Sequence, residues 1–145
     1  MEVVATPDRA RAAWAGGAAV RALGLHVALP LTAGVAVYAA ARSGLASVGQ
    51  ADGTTQRAAL DFIRFNLPDG LWTYALTTVV AVVWTNGADV PRRAWLLAAL
   101  GLGLALEFGQ GARVVPGTFD PLDVFSILAA WVAALMSSRG RWTSS

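Results

Sequence analysis

The sequence predicts an all-α integral membrane protein: a bundle of about four spans of ~20 residues each, with a short interfacial helix before the second. Three observations carry this. Of the 145 residues, 56% are hydrophobic and 14% charged, with a mean hydropathy of +0.54. A soluble domain this short could not hide that much apolar surface, whereas a bilayer accepts it. Apolar stretches of membrane length also recur along the chain, separated by short segments rich in Gly, Pro and Asp. Finally, every basic residue is arginine, placed singly or in pairs beside those stretches. Such spacing fits membrane flanks and argues against a nucleic-acid partner, despite a net charge of +2 and a pI near 9.9. Cysteine is absent, which removes disulfides, thiolate metal sites and cysteine nucleophiles.

Residues 1–17 read as a polar N-terminal segment carrying Asp8, Arg9 and Arg11. The apolar run behind it is too long for a signal peptide and lacks a cleavage site, so it is read as a retained first span, 18–41. Pro30 predicts a kink there, with Thr32 or a neighbouring helix satisfying the carbonyl that proline frees. Ser43 to Gln56 reads as loop. From Thr55 to Phe65, Leu60 and Ile63 recur at helical spacing opposite Arg57, Asp61 and Arg64, the pattern of a helix lying in the headgroup layer. Asn66 to Gly70 reads as a break that turns the chain into a second span, 71–84, with Trp72, Tyr74 and Trp84 as interfacial aromatics. Pro91 suits the start of a third span, 91–110. Its Gly101 and Gly103 predict close packing, within the chain or between copies in a homo-oligomer, and make it the expected most enclosed helix. Asp120-Pro121 opens a fourth span, 121–138, followed by a tail, 139–145.

An even number of spans puts both termini on one side. Arg9, Arg11, Arg21, Arg92, Arg93, Arg139 and Arg141 share that side, against Arg42, Arg57, Arg64 and Arg113 on the other. The positive-inside tendency therefore predicts cytoplasmic termini in a plasma membrane. Asp52, Asp61, Asp69, Asp120 and Asp123 then fall on the outer face, with Glu107 at the outer end of span three.

Glu107 and Gln110 share a helix face, and Arg113 continues the same direction. A glutamate in an apolar helix is costly unless paired, so it is a functional candidate; pairing with Arg113 merely to stabilise the bundle is the plainer alternative. Asp120 before Pro121 has the form of an N-cap, and Asp123 suits the helix dipole at the third position. Asp123 could equally turn toward Glu107 or Arg113. Asp69 combines helix-start chemistry with nearness to the site, and Tyr74 offers a hydroxyl or only an anchor. His26 has no second ligand nearby and reads as a helix–helix hydrogen-bonding residue.

The stretch Glu107-Phe108-Gly109-Gln110, then Arg113, then Gly117-Thr118-Phe119-Asp120-Pro121-Leu122-Asp123, resembles the signature of the VanZ-like family, named for a teicoplanin-resistance protein. That family shows Glu-x-x-Gln at the end of its third span and an Asp opening its fourth. The segment from Leu67 to Tyr74 sits where the family has another polar motif. The resemblance covers about residues 60 to 136 and the four-span layout. It departs in lacking the Lys and His usual in the second-span motif, and in having Ser126 where Asn is usual. The resemblance implies roles for Glu107, Gln110 and Asp123, more weakly for Asp69, Tyr74, Arg113 and Asp120, and implies glycopeptide tolerance or an envelope role.

Three functions follow as expectations. The first is binding of membrane lipids or lipid-linked envelope precursors, with Arg113 holding a phosphate and the acids taking amine or hydroxyl groups. The second is an enzyme using a hard divalent cation on a phosphorylated lipid, although the chain has no Asp-Asp-x-x-Asp motif and no cofactor or metal is expected. The third is a structural or assembly subunit whose polar residues pin helices together.

Overall fold

The computed structural model describes residues 20–21, 23–43, 54–84 and 89–139. Residues 1–19, 22, 44–53, 85–88 and 140–145, which include the expected N-terminal segment 1–17 and most of the expected first loop and tail, lie outside the described residues. The described residues form helices α1 (Gly24–Arg42), α2 (Thr54–Phe65), α3 (Leu67–Val83), α4 (Asp89–Gly111) and α5 (Pro121–Arg139).

Helices α1, α4 and α5 are each long and apolar enough to cross a membrane. The distribution of side chains points the same way. The interior is small and polar, with Ala75, Ala81, Ala99 and Ala134 beside Asn66, Thr73, Thr77, Glu107, Asp123 and Ser126. The exterior carries the large apolar residues, among them Leu25, Leu97, Phe108, Phe125 and Met136. Water would penalise that arrangement, whereas hydrocarbon favours it. The structure is therefore of membrane-protein type.

The pieces differ from the sequence expectation in three ways. At the kink, α1 opens with a π-helical turn, Gly24–Ala28, in which Leu29 N–H donates to the Gly24 carbonyl. The wider π register takes up the disruption just before Pro30; Thr32 Oγ1 donates to the carbonyls of Ala28 and Leu29, both at 2.9 Å, instead of to the carbonyl that Pro30 leaves unbonded. The break before span two shrinks to Asn66 alone, because Pro68 lies in the first turn, where its fixed φ favours the helix. Asp69 and Gly70 are thus helical.

The third difference concerns enclosure. The most enclosed helix is α3, which buries Gly70, Thr73, Ala75, Thr77, Thr78 and Ala81. It packs extensively on α5, then on α1 and α4, while α2 rests on α3 and α1. Of the pair Gly101 and Gly103 in α4, Gly101 faces open space and Gly103 makes the close approach, to Ile127 and Thr73. Spacing along α4 could not reveal that its neighbours cover just one side. At 17 residues, α3 is the shortest of the apolar helices.

Helices α3 and α5 run parallel, since Asn66 meets Asp123 and Gly70 meets Ser126 near their first turns. Helix α4 runs antiparallel to α5: its late residue Glu107 meets Asp120, and its early residue Leu96 accepts a 2.9 Å hydrogen bond from Trp131 Nε1. Among the described residues the two helices flanking α3, α1 and α4, share almost no contacts with each other.

Candidate functional site

The tips of α3, α4 and α5 converge as topology requires. Asp120 caps α5, its Oδ1 accepting from Leu122 N–H at 2.9 Å. The N–H of Asp120 itself donates to Glu107 Oε1 at 2.6 Å, so the fourth apolar stretch begins against the third. Asn66 bridges both: its Nδ2 donates to Asp123 Oδ1 at 2.8 Å and to Asp120 Oδ2 at 3.2 Å. Ser126 Oγ closes the ring by donating to the Asn66 carbonyl at 2.8 Å. Glu107 and Asn66 are each only 2% exposed.

The carboxylates of this tip act on one another. The carboxylates acting on Asp123 are those of Asp69, Glu107 and Asp120, and Glu107 acts likewise on Asp69. Arg113 does not join them. It is exposed, with φ +58°, and ends the helix in the left-handed conformation that helix C-termini favour. Its N–H donates to the Gln110 carbonyl at 2.9 Å, and the reversal at Val114 and Val115 is held by the Gly109 carbonyl. Among the described residues Arg113 makes no ion pair. The expected Glu107–Arg113–Asp123 meeting is thus corrected: the left-handed turn carries Arg113 off the helix face that Glu107 occupies.

Tyr74 is also displaced from the site. Its hydroxyl lies 2.6 Å from His26 Nδ1 and donates to Ser137 Oγ at 3.3 Å. His26 is in the first turn of α1 and Ser137 in the last turns of α5, at the end of the bundle away from Glu107. The hydrogen-bonding reading of His26 agrees with this, and Tyr74 of α3 serves that cross-helix link.

Beneath the carboxylates lies a cavity of about 560 Å³. Asp69, Glu107 and Gln110 border it together with an apolar body that includes Leu31, Trp72, Leu76, Leu102 and Leu106. Glu107 receives a single hydrogen bond, at Oε1, and Oε2 is left without a partner among the described residues. Gln110 lies against Gly117, filling the place a Cβ would take, and the φ of +142° at Gly117 is one that L side chains rarely adopt. Among the described residues no three His, Asp or Glu side chains are arranged to hold one metal ion.

Asn66, Thr73 and Ser126 are site residues that sequence reasoning missed. Asn66 was legible only as an amide set between Phe65 and Leu67 at the junction of an amphipathic and an apolar helix. No protein-family model matches the chain, and comparisons with curated proteins and with solved structures likewise find no match.

Proposed function

We propose that the chain is a VanZ-like membrane protein of four spans, α1, α3, α4 and α5, that binds the headgroup of a lipid or lipid-linked envelope precursor at its outer face. In this reading both termini are cytoplasmic, the cell is bacterial, and the role is in envelope homeostasis or glycopeptide tolerance. The observation that carries it is Glu107: a carboxylate 2% exposed, bordering an apolar cavity, with one oxygen unpartnered among the described residues. Intramembrane acids are costly and are kept where a ligand or pathway uses them. Ligand sites of ~300–1,000 Å³ with few polar groups among many apolar ones are the common form for small amphiphiles. Helix α3 spans ~25 Å at 1.5 Å per residue, and its central place lets longer neighbours cover it.

The labour divides between two sets of residues. Asp120, Asp123, Asn66 and Ser126 are engaged with one another and hold the helix tips. Asp69, Glu107 and Gln110 border the cavity and are the binding residues. Lipids retained by the purified protein, identified by mass spectrometry, test this reading. Wild-type protein should retain one lipid class above its share of the membrane, and Glu107→Gln should lose that enrichment while inserting normally. A glutamine can still accept from Asp120 N–H, so the helix contact survives. Equal lipid profiles from both proteins would refute the reading.

A further inference from the structure

We infer that the ligand's polar end is an ammonium group seated between Asp69 and Glu107, on a membrane lipid whose chain enters sideways between α1 and α4. This rests on the headgroup-binding reading and names the chemistry of the head. The sign of the charge decides it. Every charged group acting on Asp123 among the described residues is a carboxylate, and Arg113, the cation nearest Glu107 in sequence, stands outside on its turn. A phosphate brought here would meet like charge in a medium of low dielectric, where repulsion is strong. An ammonium instead brings three donors to acceptors, among them Glu107 Oε2, which has no partner among the described residues.

The source follows from the walls. Helices α1 and α4 flank α3 but scarcely touch, so the space between Leu31 and Leu106 is bounded by α3 at the back, with Trp72 and Leu76 along it. Trp72 is 52% exposed and lines the cavity, as a side chain at such an opening would. In a bilayer that opening faces acyl chains. A neighbouring lipid can slide in without leaving the membrane, its amine meeting the carboxylates above.

The full chain in phosphatidylglycerol vesicles provides the test. A minor fraction of chain-brominated phosphatidylethanolamine or chain-brominated phosphatidylglycerol is added, and tryptophan quenching is read. Trp72→Phe identifies the contribution of the cavity. Brominated phosphatidylethanolamine should quench Trp72 at a mole fraction roughly tenfold lower than brominated phosphatidylglycerol, as one charge-assisted hydrogen bond implies. Glu107→Gln should bring the two lipids close to parity. Asp69→Asn, outside the hydrogen-bonded ring, should do the same and covers the case of a misfolded Glu107 variant. Preference for phosphatidylglycerol that Glu107→Gln alters would overturn the ammonium assignment and leave headgroup binding standing. Quenching of Trp72 that follows bulk lipid composition in every variant would overturn both.

Discussion

Replacing Asn66 by alanine isolates the contact that joins the helix tips. The substitution removes two hydrogen bonds, to Asp123 Oδ1 at 2.8 Å and to Asp120 Oδ2 at 3.2 Å. Side-chain hydrogen bonds between membrane helices average about 0.6 kcal/mol and reach about 1.7 kcal/mol, so the pair contributes ~1–3 kcal/mol. A second cost comes from what remains. Asp123 is 9% exposed, and Asn66 is its one side-chain donor among the described residues. Stranding a buried polar group costs about 1–3 kcal/mol more. Because the surviving neighbours are carboxylates, nothing nearby replaces the lost donor. The expected loss is therefore about 4 kcal/mol, the middle of the combined range of about 2–6 kcal/mol. Equilibrium unfolding in mixed micelles, followed by loss of helical circular dichroism, measures it. Asn66→Ala should also release the start of α5, seen as faster amide exchange at Leu122 and Asp123. A loss below about 1 kcal/mol, no more than one ordinary contact, would refute the claim that Asn66 holds the site together.

Gly70→Ala should lower stability by about 1–3 kcal/mol in the same unfolding experiment, since its Cβ would collide with Ser126 Oγ and press α3 away from α5. Gly117→Ala combines a φ of +142° with collision against the Gln110 side chain, so a loss of about 1–3 kcal/mol and displacement of Gln110 from the cavity are expected. Weaker lipid retention would accompany it. Tyr74→Phe removes the hydroxyl that links His26 to Ser137 and should cost about 1 kcal/mol in unfolding, with the retained lipid profile unchanged. A changed lipid profile would return Tyr74 to the binding site.

Composition and hydropathy decided the class, because the solvent a chain needs is a property summed over its residues. The apolar runs predicted four spans, of which three are helices long and apolar enough for a membrane, while helical spacing marked the amphipathic α2 and Asp120 before Pro121 marked the cap. Alternation of direction along the chain was enough to bring Glu107 and Asp123 to one end, since each turn reverses a rigid helix. What sequence could not supply was rotation about each helix axis and the local path of a turn. Arg113 continues the Glu107 face only if the helix continues, and a left-handed residue ended it. Tyr74 lies near the site in sequence, yet its ring reaches the opposite end through a partner 48 residues away, His26. Asn66 looked like a chain break and became the bridge, because its role depends on two aspartates more than 50 positions further on. The cavity was invisible for the same reason: it exists where α1 and α4 fail to meet, and spaces between helices are set by packing of all their neighbours at once.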